Sequence, residues 1–284
     1  MKDLLSNLER YNIQIERVRD LPRNHFDLKN LNVSDKDKFL IDLDLILPRA
    51  YSLNFLEGKK LLIVGENGFG DCIWFYRYVM KLSKLCDVYF FINEKVKGLF
   101  SKVRTITELP KDLKFFDCYI WSFDLLYLFK GDVGDKGPYL EAEPLLEEKD
   151  VLRIGFSLGN SDSNEDMLYR NIDSLLISYF KGMGELYNFS NIPNENCINL
   201  LPLKDFCETA RYVQSMDYII SSDNVMVHLA GALGKETYAI FTPEQEFIWY
   251  GLPEDIVWYD TVTPIVMKKD ENIESVFNRL PILK

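Results

Sequence analysis

Short runs of adjacent apolar residues, each stopped by a glycine or a polar turn, recur along the chain and predict buried parallel strands. Lys60-Leu61-Leu62-Ile63-Val64 runs into Gly65, Val88-Tyr89-Phe90-Phe91-Ile92 follows, and Cys118-Tyr119-Ile120-Trp121 forms a third run. Between the first two, residues Cys72 to Leu85 carry aromatic and aliphatic side chains at helical intervals. Strand, glycine-rich loop, helix and strand make a βαβ unit, whose crossover is right-handed.

The second half repeats that pattern without repeating the sequence. Leu152 to Ser157 predicts a strand entering a polar loop, Gly159 to Asp166, and Asp205 to Ser215 predicts a helix. A strand at Tyr218-Ile219-Ile220 leads through Ser221-Ser222-Asp223-Asn224 into an Ala/Gly-rich helix, Val225 to Leu233, which Gly234 stops. Thr237 to Phe241 is the next strand, and Asn272 to Leu280 a closing helix. The expectation is an α/β chain of two Rossmann-like, doubly wound domains facing an interdomain cleft, with ligands at the carboxyl ends of strands. Residues 1–50 read as a helical leader on the first domain, with Leu4, Leu5, Leu8 and Tyr11 at helical spacing. Residues 51–145 form the first domain and residues 146–284 the second. Gly134, Gly137, Pro138 and Pro144, interleaved with acids, make Gly131 to Pro144 an exposed linker.

Composition narrows the function classes. The 284 residues carry a formal net charge of −11, which gives no electrostatic help to a general nucleic-acid or anionic-membrane surface. Five scattered cysteines lack zinc-like or CxxC spacing and read as reduced, buried thiols. With only His25 and His228 there is no basis for a histidine metal cluster, and Asp42 and Asp44 alternate with apolar residues as a wet face would. No metal site is expected. No apolar run reaches the roughly 18 residues of a membrane span. The opening MKDLLSNLERYN is too polar for a secretory signal, so cytoplasmic residence is the expectation.

Two turns carry the candidate chemistry. A strand ending at Ser222 and a helix starting near Val225 leave backbone N–H groups without intrahelical partners, a charge-free anion site suited to a diphosphate. Asp223 as a plain helix cap is the competing reading, and His228 on that helix reads as a hydrogen-bonded structural residue. The earlier turn has glycines at 65, 68 and 70, which is neither GxGxxG nor a P-loop. That order argues against a dinucleotide-dependent oxidoreductase. Asp71 at the following helix start is either an N-cap or a carboxylate base placed to take a proton from an attacking hydroxyl.

Together these segments resemble the heptosyltransferase-like GT-B glycosyltransferases, glycosyltransferase family 9 and its tetratricopeptide-linked relatives. Gly65-Glu66-Asn67-Gly68-Phe69-Gly70-Asp71 is similar to their GE-x-G-x-GD opening, and Pro138-Tyr139-Leu140 with Pro144 to a PYL-x-x-x-P entry into the second domain. Arg153-Ile154-Gly155, Gly159-Asn160 and Arg170-Asn171-Ile172 resemble the RIG strand, the GN loop and a later basic residue. Ser222-Asp223-Asn224-Val225-Met226-Val227-His228-Leu229-Ala230-Gly231-Ala232-Leu233-Gly234 is close to D-T-x-x-x-HLAGALG, and Trp258-Tyr259 fits a late WY. Asn224 departs from the usual Thr. The leader shows no tetratricopeptide pattern.

The resemblance implies a GT-B fold and transfer of a sugar from a nucleotide-sugar donor, with inversion and without a metal or other cofactor. Asp71 would be the base, beside an acceptor-side loop of Gly68, Phe69 and Gly70. The amides of Asn224, Val225 and Met226, with Arg170, would hold the donor diphosphate. Ser157, Gly159, Asn160, Ser222, Asp223 and His228 would border it, and Glu244, Gln245 and Glu246 are secondary candidates for sugar or ribose hydroxyls. The acceptor is left open among a glycan, a lipid-linked sugar, a protein and, last, a modified DNA. The alternative is a non-catalytic nucleotide-sugar or phosphate-binding module with a degenerate GT-B site.

Overall fold

Leu61, Leu62, Ile63 and Val64 are all buried, and the strand they form, β1 (Lys60–Val64), is an interior strand of the first sheet. The computed structural model describes residues 43, 46–65, 68–130, 132–159, 170–243, 249 and 258–283. Leader residues 1–42, with His25 and Asp42, lie outside them, as do Asp44, Glu66 and Asn67. By its contacts the chain divides into two units, Met1–Gly134 and Asp135–Lys284.

In the first unit β1 is followed by α1 (Phe69–Leu82), β2 (Asp87–Phe91), α2 (Glu94–Lys97), β3 (Arg104–Ile106), β4 (Cys118–Trp121) and α3 (Leu125–Leu128). The sheet is parallel throughout, in the order β3-β2-β1-β4. Alternate residues Leu62, Val64 and Tyr119 share one face and pack with Leu43, Leu47 and Phe116. Helix α1 begins three residues before the expected Cys72, because Gly68 in an extended conformation serves as its N-cap. It ends at Leu82, where the Cys86 amide returns to the Leu82 carbonyl and closes the turn into β2. Every residue from Cys72 to Val79 is buried, so α1 is a core helix rather than an amphipathic one.

The second unit holds β5 (Arg153–Ser157), α4 (Leu175–Ser178), β6 (Glu185–Asn188), β7 (Ile198–Asn199), α5 (Phe206–Gln214), β8 (Tyr218–Ser222), α6 (Val225–Ala232), β9 (Thr237–Phe241), β10 (Val262–Val266) and α7 (Ile273–Asn278). Its parallel sheet runs β10-β9-β8-β5-β6-β7. Counted from β5, that is the 3-2-1-4-5-6 order of a doubly wound dinucleotide fold, with its reversal between β5 and β8. Ile154, Phe156, Ile220, Tyr238 and Ile240 line one face and pack with Leu176, Ile177, Phe180, Val276 and Leu280. That cluster contains none of the buried residues of α6, which instead contacts β8 and β9 and so covers the opposite face.

Asp205, Asn224 and Asn272 each cap the helix that follows with a side-chain oxygen. Gly234, at φ +73°, supplies the left-handed residue that ends α6. The segment read as an exposed linker is partly docked: Tyr139 and Leu140 are buried, and both amides donate to the Ala232 carbonyl at 2.9 Å. Leu145 N–H donates to Ser215 Oγ at 2.9 Å. These bonds join the segment to the second unit, and the division of contacts falls earlier, after Gly134. Among the described residues no helix is long and apolar enough to cross a membrane.

Candidate functional site

Strands β5 and β8 run side by side with Ser157 opposite Ser221, so their carboxyl ends open at the reversal of strand order. Ligands of such sheets bind at that place because the flanking connections leave to opposite sides. Ser157, Ser221 and Ser222 are buried there and small enough to keep the strand ends close. Asn224, half-buried and extended at φ −154°, begins α6. Its Oδ1 accepts the Met226 amide at 2.8 Å, and its Nδ2 donates to the Ser157 carbonyl at 2.9 Å. Nδ2 also lies 3.1 Å from Ser222 Oγ and 3.2 Å from Ser157 Oγ. Among the described residues the amides of Asn224 and Val225 make no hydrogen bond. Of the three amides expected to face a phosphate, that of Met226 is already engaged by a side chain.

Asp223 lies beneath this lip, only 5% exposed. Its Oδ1 accepts the Trp249 indole N–H at 2.8 Å, while its buried Oδ2 has no hydrogen-bond partner. Arg170 Nη1 stands 3.9 Å from Oδ2, with its own side chain 12% exposed. Burial pushes the Asp223 carboxyl above the usual carboxylate range, against the smaller pull of Arg170 and the indole N–H. Asp223 is therefore not the cap of α6, as the competing reading had it: the capping side chain is that of Asn224.

His228 faces the other side of the same Trp249. The two rings stack at 5.2 Å with 22° between planes, and His228 Nδ1 lies 2.9 Å from the Tyr259 hydroxyl. Tyr259 packs across α6 at Gly231, where any Cβ would run into the ring carbons. Its hydroxyl is 3.4 Å from that of Tyr139. This arrangement gives His228 the structural, hydrogen-bonded environment that a lone helical histidine suggests. The sequence reading does not single out Trp249; the apolar run Phe247-Ile248-Trp249-Tyr250, just past the polar Glu244-Gln245-Glu246, was its available signal.

Gly159 is half-buried just past β5, while Asn160, Glu244, Gln245 and Glu246 lie outside the described residues. Asp71 belongs to the first unit, as the third residue of α1 and half-buried. The N-cap position that competed for Asp71 is taken by Gly68. A Cβ on Gly68 would collide with Asp71 Oδ2, so glycine is what lets the carboxylate fold back over the helix start. Phe69 and Gly70 form the first residues of α1 rather than a loop. Among the described residues no group of three or more His, Cys, Asp or Glu side chains is placed to hold a metal ion.

No protein-family model matches the chain, and no curated protein matches its sequence. Solved structures do. The iron-containing dodecameric glycosyltransferase TibC of enterotoxigenic E. coli superposes with a TM-score of 0.55 at 11% identity, over 66% of this chain and 59% of that one. The matched part thus spans less than two thirds of TibC. The ADP-heptose lipopolysaccharide heptosyltransferase II of E. coli gives 0.53 at 13% identity, over 79% of this chain and 98% of that one. A family 9 glycosyltransferase from Veillonella parvula gives 0.54 at 10%, over 79% and 90%. At such identities the likeness is one of architecture: the chain has the α/β fold of the heptosyltransferase-like GT-B proteins, with two parallel Rossmann-like sheets.

Proposed function

We propose that this chain is a glycosyltransferase that moves a sugar from a nucleotide-sugar donor to an acceptor hydroxyl. The observation that carries the reading is the strand reversal between β5 and β8, which gathers Ser157, Ser222, Asp223, Asn224 and the Arg170 cation at one site. The amides of Asn224 and Val225, the dipole of α6 and Arg170 suit a donor phosphate. Ser157 and Gly159 border that site. The structural neighbours, which are heptosyltransferases, support the reading, and TibC was obtained with ADP-D-β-D-heptose bound.

Transfer on this reading inverts the anomeric centre and needs no metal. Asp71 takes the proton of the acceptor hydroxyl as its oxygen bonds to the anomeric carbon. The bond from that carbon to the diphosphate oxygen breaks, and the nucleoside diphosphate leaves with the electron pair. Fixed amides and Arg170 stabilise the departing charge. The acceptor lies among a glycan, a lipid-linked sugar, a protein and a modified DNA, and the reaction is placed in the cytoplasm.

The engaged Met226 amide favours a second reading, a binding module whose site is degenerate. Transfer assays on a panel of nucleotide-sugars and acceptors separate the two. Asp71→Asn should lower turnover by roughly 100-fold or more while donor affinity stays within about twofold. Undiminished turnover in that variant would remove Asp71 as the base. Donor binding without transfer to any acceptor would favour the module.

A further inference from the structure

Most helix N-caps use one end of one side chain, and Asn224 uses both. Its Oδ1 takes the Met226 amide at 2.8 Å, and its Nδ2 reaches 67 positions back to the Ser157 carbonyl at 2.9 Å. The Ser221 hydroxyl lies 3.2 Å from Oδ1 and the Ser157 hydroxyl 3.4 Å from it. Nδ2 also lies within 3.2 Å of the Ser157 and Ser222 hydroxyls. A carboxamide tied to the end of β5 and the start of α6 crosses the strand reversal itself. A threonine or serine hydroxyl could cap α6, but it is a single atom and cannot also reach across as a second donor arm. Beside this bridge stands the buried Oδ2 of Asp223, with no hydrogen-bond partner and 3.9 Å from Arg170. The polar side-chain atoms around the lip therefore divide sharply: both ends of the Asn224 carboxamide are satisfied within the chain, and Asp223 Oδ2 is not.

We infer that Asn224 is a latch across the strand reversal that competes with an incoming phosphate for the N-terminus of α6. With the latch closed, a phosphorylated ligand meets the Asn224 and Val225 amides and Arg170, but not the Met226 amide. The latch sets affinity within the donor-site reading, on which this inference rests. It also gives the chain a different anion-binding surface from one whose cap is a single hydroxyl.

The test compares wild type, Asn224→Gly and Asn224→Asp by calorimetric titration with UDP, GDP, CDP and ADP. Glycine is a good N-cap and frees the Met226 amide, so Asn224→Gly should bind the preferred nucleotide about threefold or more tighter. Asn224→Asp keeps an acceptor on that amide and adds negative charge, so it should bind more weakly than wild type. Binding detected only in Asn224→Gly supports the latch most strongly. Wild-type binding with equal or weaker binding by Asn224→Gly overturns the latch alone and leaves the donor site standing. Absence of binding by all three chains overturns the latch and the donor-site reading together.

Discussion

The indole N–H of Trp249 donates a 2.8 Å hydrogen bond to Oδ1 of Asp223, fixing a carboxylate that is otherwise enclosed and leaving its second oxygen beside Arg170. Trp249 is itself fully buried between His228 and Phe241, with ring centroids 5.2 and 5.0 Å away. The bond thus ties the base of the candidate donor site to the core beneath α6. Removing one partner from such a buried pair leaves the other unsatisfied, which costs more than the bond's net worth.

Asp223 should make stability depend on pH in a direction opposite to most carboxylates. Burial raises its pKa in the folded chain. The folded state then holds this proton more tightly than the unfolded one. Its stabilising contribution is complete below the unfolded value of about 3.9 and is lost as pH rises through the folded value. Asp223→Asn removes that dependence. Urea midpoints measured from about pH 4 to about pH 7 should fall for wild type relative to the variant. A constant difference between the two would contradict the assignment.

Gly231 is a packing position in α6. A methyl group there would fall on Cγ, Cδ1 and Cδ2 of Tyr259, whose ring is 1% exposed and has nowhere to retreat. Gly231→Ala should cost roughly 1–3 kcal/mol by overpacking and weaken the His228–Tyr259 contact. Urea unfolding measures the cost, and a wild-type midpoint would show that the ring can move aside.

The thiols should be quiet. Burial pushes Cys86, Cys118 and Cys197 up to about 11, with Asp87 adding to the effect at Cys86. At pH 8 the thiolate fraction then drops about 100-fold from that of an unperturbed thiol. Iodoacetamide labelling followed by mass spectrometry should find these three slow in the native chain and fast in urea. Equal rates in both would mean that the thiols are accessible.

The strands most legible in the sequence are those whose two faces are both buried. β1, β4 and β9 are continuous apolar runs that end at a glycine or a polar turn, and their bounds agree with the runs. The strands that local pattern does not show are β3, β6, β7 and β10; β3, β7 and β10 are edge strands and β6 lies next to one. β3 begins with an exposed Arg104, β7 is two exposed residues, and β10 contains Pro264 on an edge where a missing donor is tolerated. Their ladder partners come from distant sequence, which local pattern does not encode. In the site, the turn from Ser222 to Val225 was readable as a helix start. That Asn224 spends both ends of its side chain, and that Trp249 reaches Asp223, depends on chain segments brought together only by folding.

The most direct test of the central claim is a thermal-shift panel of UDP, GDP, CDP, ADP and their sugars, with NAD as control, on wild type and Arg170→Ala. A nucleotide at about 100 times its Kd adds roughly 2.7 kcal/mol and should raise the wild-type midpoint by a few degrees. A donor site with Arg170 at its edge predicts such a shift from one nucleotide family, no shift from NAD, and a markedly smaller shift in Arg170→Ala. A midpoint unmoved by every nucleotide at millimolar concentration, or a shift that Arg170→Ala leaves intact, would contradict a donor site at the β5–β8 reversal.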